Sequence, residues 1–324
     1  MKQRRLGKTG YQVSEIGLGC WQLGGDFGPV GADTASAILD EANRLGVTFW
    51  DTADVYGGGL SESRIGEHAK GNGVHVVTKV GRDGSLFPDK FSKAGLRASL
   101  EASAKRLKVE AIELAQLHCV PTAVLEDGAI FGWMDDLKAE GLIRHYGASV
   151  ETVAEGLLCL KHEGVATLQI IFNLFRQDAA AELLPQAQAK DVGIIVRLPL
   201  ASGLLSGKFG KTPAFAEQDH RNYNRDGKFF NVGETFSGLP YEKGVELADA
   251  LKGMVPGGVP LAQTALRWIL DHPAVSSIIA GVSKPEQLAS NVAAAGLPSL
   301  SPALMAQLGD WYGKDVRPFV RGGI

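Results

Sequence analysis

The sequence predicts a (β/α)8 barrel, and three observations lead there. Eight short apolar runs recur along the chain, segments of helical period separate them, and no linker or low-complexity stretch divides residues 1–324. Runs that are apolar on both faces suit strands of a covered parallel sheet, and intervening helices supply the crossovers such a sheet needs. One domain spanning 1–324 is therefore expected. A doubly wound open sheet is the competing arrangement, but no GxGxxG follows the first run.

The strand runs are residues 14–19, 47–50, 74–80, 112–118, 144–149, 167–172, 192–198 and 275–279. Helical spacing occupies 34–45, 92–107, 126–140, 152–162, 179–190 and 241–252. Asp33 is placed to cap the first helix, Gly46 to end it, and Gly141 and Gly164 to end two others. Ahead of the first strand, residues 1–13 read as a hairpin turning at Lys8-Thr9-Gly10 and closing the barrel bottom. Residues 209–240, rich in Gly, Asn and Asp after the seventh strand, read as an unstructured lid. An extra helix and tail complete the C-terminus.

Composition excludes several functions. The 33 basic and 36 acidic side chains are mixed along the chain, leaving a net charge of −3 and no block suited to nucleic acid or an anionic membrane. Cys20, Cys119 and Cys159 form no CxxC and make an odd set, the usage of a reducing, cytoplasmic compartment. No apolar segment follows the basic N-terminus as a secretory signal would, and no run approaches the roughly 20 apolar residues of a membrane span. HExxH is absent, so no metal is expected. Gly57-Gly58-Gly59 lacks a following GK[ST] and reads as a turn, not a phosphate loop. The oligomeric state stays open.

Barrels of this kind place their chemistry where strands end. The second strand ends at Asp51 with Tyr56 just beyond, the third passes Lys79, and the fourth ends at His118. A carbonyl that accepts hydride develops negative charge on oxygen and needs a proton there. Tyrosine, with a pKa near about 10, serves poorly until a lysine beside it favours the phenolate. An aspartate can hold that lysine charged and aimed, and a neutral imidazole can orient the substrate oxygen. Cys119, next to His118, reads as an inert thiol.

The stretch Asp51-Thr52-Ala53-Asp54-Val55-Tyr56-Gly57 with Ser61-Glu62, followed by Lys79 and His118, resembles the signature of the aldo-keto reductases. The resemblance covers essentially the whole chain. It implies NADP(H), ahead of NAD(H), as cofactor, and Asp51, Tyr56, Lys79 and His118 as the catalytic set. Trp21 would lie beside the nicotinamide. Ser149 and Gln169 would hold the carboxamide, with Val150 standing where relatives carry Asn. Arg197 occupies the position where many relatives stack a tyrosine, and a guanidinium can also stack on a ring. The segment 199–208, with Pro199, Leu200, Ser202, Gly203, Leu205, Gly207 and Lys208, would fold over the pyrophosphate. Gly281, Ser283, Lys284, Gln287 and Asn291 would take the adenosine end, where Ser283 and Lys284 favour a 2′-phosphate.

These expectations describe an oxidoreductase acting on a small-molecule carbonyl or alcohol. The alternatives are a cofactor-binding regulatory or scaffold subunit and an unrelated barrel lyase or isomerase. Substrate loops are expected at 25–32, 120–127, 209–240 and 316–324. They carry Phe27, Phe229 and Phe230 beside Asp219, His220, Arg221 and Asn222, compatible with a sugar, a small aldehyde or a larger ketone.

Overall fold

A computed structural model describes every residue except 26, 27, 29, 70–72, 211, 213, 214, 218 and 324. Eight parallel strands close into a barrel in sequence order: β3 (Ile16–Gly19), β4 (Phe49–Asp51), β5 (His75–Val80), β6 (Ile112–His118), β7 (Ile143–Ser149), β8 (Val165–Ile171), β9 (Gly193–Arg197) and β10 (Val275–Gly281), which returns to β3. Ahead of them β1 (Gln3–Arg5) and β2 (Gln12–Ser14) pair antiparallel. The expected hairpin does seal the bottom. Leu6 and Val13 pack with Phe49, Val77, Leu114, Ile195 and Ile279 inside the barrel. Lys8 donates to Glu163 O and Val165 O, and Arg4 to Leu270 O and Val275 O.

Twelve α-helices of the described residues surround the strands. The first six are α1 (Ala32–Arg44), α2 (Leu60–His68), α3 (Lys93–Leu107), α4 (Thr122–Asp127), α5 (Ala129–Ala139) and α6 (Val153–Cys159). The rest are α7 (Leu183–Ala189), α8 (His220–Tyr223), α9 (Tyr241–Lys252), α10 (Leu261–Leu270), α11 (Pro285–Ala293) and α12 (Pro302–Trp311). No described helix is long and apolar enough to cross a membrane.

Strand residues alternate between two environments, as a pleat demands, with register shifts at Tyr146/Gly147 and Val275/Ser277. Trp50, Ala115, Leu117, Leu168 and Val196 face outward into the helix layer. Phe49, Val77, Leu114 and Ile195 face inward, and the next inward residues are Asp51, Lys79, Gln116 and Arg197. On β4, β5, β6 and β9 the barrel interior therefore passes from an apolar tier to a polar one within two residues.

Several local expectations need correction. The N-cap of α1 is Gly31, and Asp33 sits inside the first turn, where its charge still favours the helix N-terminus. The helix expected at 126–140 is two helices, because Gly128 adopts φ 78° and breaks it. Gly164 ends no helix, since α6 finishes at Cys159; a Cβ there would sit 2.0 Å from Tyr146 Oη. The stretch 209–240 is not unstructured: α8 and two short turns, Val232–Glu234 and Phe236–Gly238, order it, with His220, Asn224 and Thr235 fully buried. Phe27 falls outside the described residues.

Candidate active site

The upper tier is wired around Asp51. Its carboxylate accepts from Lys79 Nζ, from Gln169 Nε2 at 2.8 Å and from Gln116 Nε2 at 3.3 Å. Register explains the convergence: Asp51 pairs beside Gly19 and Val77, and Lys79 beside Gln116, so adjacent strands deliver these groups at one height. Lys79 Nζ also donates to Thr52 O at 2.9 Å and Tyr56 Oη at 3.2 Å, and lies 4.9 Å from the Tyr56 ring centre. The His118 ring meets Tyr56 edge-on at 5.8 Å, and Trp21 stacks on Tyr56 at 5.6 Å.

The loop after β4 is fixed by the rest of its motif. Ser61 Oγ accepts from Thr52 Oγ1 and donates to Cys20 O, both at 2.8 Å. Buried Glu62 takes Thr78 Oγ1 and Arg106 Nε. Gly57 sits at φ 58° with Gly24 O pressed against it; a Cβ would come within 2.3 Å of that oxygen. Ser61 and Glu62 therefore brace the turn that aims Tyr56.

Burial pulls the Lys79 ammonium down, but the Asp51 carboxylate and Tyr56 outweigh it and hold Lys79 above its ordinary value. Tyr56 differs from the sequence expectation. Burial drives its hydroxyl up, Lys79 pulls it back only in part, and it stands at about 12. The hydroxyl is thus a held proton donor beside a permanent cation. Burial, then the cations Arg82, Lys79 and Arg197, push His118 well below the usual histidine range, so its imidazole is neutral. Burial takes the Cys119 thiol up to about 11, in keeping with an inert group.

Trp21, Asp51, Tyr56, His118, Gln169, Arg197, Pro199 and Gly281 line one cavity of about 210 Å³, with Lys79 beneath it. Ser149 lies alongside, its Oγ 3.5 Å from Gln169 Oε1. Arg197 donates through Nη2 to Val150 O at 3.1 Å and to Cys119 Sγ, while its Nε has no partner among the described residues. The segment after β9 turns tightly, with Leu198, Ala201 and Ser202 left-handed and Gly203 and Gly207 likewise at positive φ. Non-glycine residues rarely hold that conformation, and it concentrates at functional sites. Ser202 Oγ accepts from Phe236 N at 3.0 Å, tying this loop to the Phe236–Gly238 turn. Leu200 is half-buried and Lys208 exposed, whereas Leu205 is fully buried in the core and packs rather than presents itself.

At the far end Lys284 caps α11, exposed, and Gln287 Oε1 accepts from Ser283 N at 2.7 Å and Ser283 Oγ at 3.2 Å. Asn291 is buried on the same helix. Gln287 therefore engages Ser283 in this structure. Ser283, Lys284, Gln287 and Asn291 stand outside the cavity that holds Tyr56.

Sequence reading named Phe230 and His220 in the 209–240 loop, and the structure brings both to the site: Phe230 lines the cavity and His220 packs on Trp21 at 5.0 Å. Arg82, Tyr223 and Glu234 also line the cavity and were not singled out. Arg82 Nη1 donates to Glu234 Oε1 at 3.1 Å across 152 positions of chain. That separation is why no local pattern marks the pair; the only available signal was a buried-type partner demand for Arg82 just after a strand end.

Comparison with known proteins gives the family and the fold. The model of the aldo/keto reductase family matches residues 15–311. The oxidoreductase YqkF of Bacillus subtilis is 32% identical over 314 residues, covering 93% of each chain. The glycerol dehydrogenase AKR11B4 of Gluconobacter oxydans superposes with a TM-score of 0.78 at 27% identity, covering 97% of this chain and 96% of that one. An aldo-keto reductase of Klebsiella pneumoniae in complex with NADPH gives a TM-score of 0.69 at 25% identity, over 100% of this chain and 99% of that one.

Proposed function

The chain belongs to the aldo-keto reductase family, and from that premise we propose that it is an NADP(H)-dependent oxidoreductase interconverting an aldehyde, ketone or sugar carbonyl with the alcohol. Residues 1–324 serve this reading as one catalytic domain. The observation that carries it is the position of Lys79 Nζ, shared between Asp51, Thr52 O and Tyr56 Oη at the floor of the cavity.

The residues present suit the cofactor. Arg197 offers an unpartnered buried Nε, Gln169 and Ser149 sit side by side, and the 199–208 turn holds Ser202 and Gly203 at positive φ. Ser283 and Lys284 stand at the start of α11, where N–H groups and the helix dipole favour an anion. Bound NADPH supplies the hydride. Tyr56 Oη gives its proton to the carbonyl oxygen as charge develops there, and Lys79 stabilises the phenolate left behind. Asp51, fixed by Gln116 and Gln169, keeps Lys79 charged and in place. The neutral His118 imidazole donates an N–H to the substrate oxygen and orients it. Water returns the proton to Tyr56, and alcohol oxidation runs the same transfers backwards. The complete set of four groups favours catalysis over a scaffold role.

Purified protein should consume NADPH with a panel of short aldehydes, ketones and sugars, forming one alcohol per NADPH. No turnover across the panel, in either direction, would remove this reading.

A further inference from the structure

Glu234 is nearly fully buried on the Val232–Glu234 turn of the lid. It meets groups from four strand ends. Arg82 follows β5 and donates to it; Arg197 Nη1, on β9, lies 3.6 Å from its Oε2. Cys119, after β6, and Glu151, after β7, bring a sulfur and a carboxylate oxygen within 4.8 Å of a Glu234 oxygen and of each other. Asn231, also on the lid, donates to Glu151 Oε2 at 3.0 Å. Arg82 in turn lies 5.3 Å from the centre of the Phe230 ring, a lid residue that lines the cavity. The polar wall of the cavity is therefore assembled from barrel and lid residues together, with Glu234 the lid carboxylate that reaches both guanidiniums. Two carboxylates this close, one buried and one half-buried, cannot both ionise cheaply, and a proton held between them relieves the pair.

We propose that Glu234 is a positioning residue that fixes Arg82 and Arg197 at the substrate cavity, and that it docks through a proton shared with Glu151. The device rests on the carbonyl chemistry above only for its kinetic readout.

Burial, then Glu234, lifts the Glu151 carboxyl to about 7. Burial opposes ionisation of Glu234 too, but Arg82 and Arg197 overcome it and take Glu234 to about 2. At moderately acidic pH the proton sits on Glu151. The other groups facing the pair keep their charge near neutrality. Arg82, Arg197 and Arg176, which donates to Glu151 O, stay cationic; Cys119 stays protonated, and His220, lowered to about 4 chiefly by burial, stays neutral. The sign follows from the raised Glu151 value. The docked lid holds a proton that the open lid releases at an ordinary carboxyl pKa, so docking is strongest at moderately acidic pH, where Glu234 is still ionised, and weakens as pH rises. Once pH passes about 7 the proton's contribution is gone.

The test is the pH profile of KM for an aldehyde, with NADPH saturating. Wild-type KM should rise about tenfold or more between roughly pH 5 and 8, one pH unit being tenfold in protonation, with kcat changing less. Glu151→Gln keeps an amide donor towards Glu234 but cannot titrate, so its KM should stay near the wild-type acidic value throughout. Glu234→Gln should raise KM at every pH. Hydrogen exchange on the wild type gives a second reading that needs no variant: after correction for intrinsic rates, protection at Phe229 and Phe230 should fall over the same range. An unchanged KM step in Glu151→Gln, or constant protection, overturns the device. Loss of all turnover in the wild type would instead overturn the proposed reaction.

Discussion

Replacing Tyr56 by Phe removes one oxygen and little else. Lys79 loses a 3.2 Å hydrogen bond but keeps Asp51, Thr52 O and the face of an aromatic ring at 4.9 Å. The ring also keeps its stack on Trp21. Stability should therefore change by about 0.5–1.5 kcal/mol at most, the net worth of one hydrogen bond. Activity should change far more. A positioned general acid contributes about 10²–10⁴-fold, which is about 2.7–5.4 kcal/mol of barrier. No nearby group can substitute, because the His118 imidazole is neutral and Lys79 is held above its ordinary value. The assay follows NADPH absorbance under saturating aldehyde, with NADPH affinity from fluorescence and a thermal melt on the same preparation. A Tyr56→Phe enzyme that binds NADPH and melts like wild type but turns over at least a hundredfold more slowly is the expected result. A kcat within tenfold of wild type would refute the assignment of Tyr56 as donor.

Lys284→Ala should narrow the preference for NADP(H) over NAD(H). A charge-assisted phosphate contact is worth about 1.5–3 kcal/mol when protected, and the exposure of Lys284 puts the expected change nearer tenfold; equal ratios of the two dissociation constants in both proteins would make it a bystander. Leu6→Ala should cost about 2–5 kcal/mol, the range for a fully buried leucine, while kcat at low temperature is retained, because Leu6 plugs the barrel bottom far from Tyr56. A parallel fall in kcat with stability intact would show the two ends to be coupled. Saturating NADPH should increase hydrogen-exchange protection across residues 199–240 and little in α3 or α5, and identical exchange with and without cofactor would reduce the lid to a fixed wall.

The architecture was legible because strand and helix periods survive on single segments: β6 spans the very residues expected, and α9 matches residue for residue. The catalytic set was legible because each member stands at a strand end or just past it. What escaped depends on contacts between distant positions. Gln116 was visible beside His118, yet nothing local says that it hydrogen-bonds Asp51, 65 positions away. Arg82, Glu151 and Glu234 sit in polar loops with ordinary surface composition, and only closure of the barrel brings them together. The tyrosine pKa was misjudged for a related reason. Sequence shows that a lysine is near, but the net shift depends on how far burial outweighs it, and burial belongs to the folded chain.

The two-residue step from apolar to polar inside the barrel makes the strands read like text with a fixed reading frame. Phe49 and Asp51 share a strand and a direction, and so do Val77 and Lys79, Leu114 and Gln116, Ile195 and Arg197. Deleting one residue from β5 upstream of Lys79 would not merely shorten it. It would turn the ammonium outward into the helix layer and bring a neighbour such as Thr78 or Val80 to the cavity floor, an inversion that no side-chain repacking could undo. Insertions in the loops carry no such penalty, because they leave the frame of each strand untouched. Diversity in this molecule can therefore be written freely between strands, while within them even one character is a change of meaning.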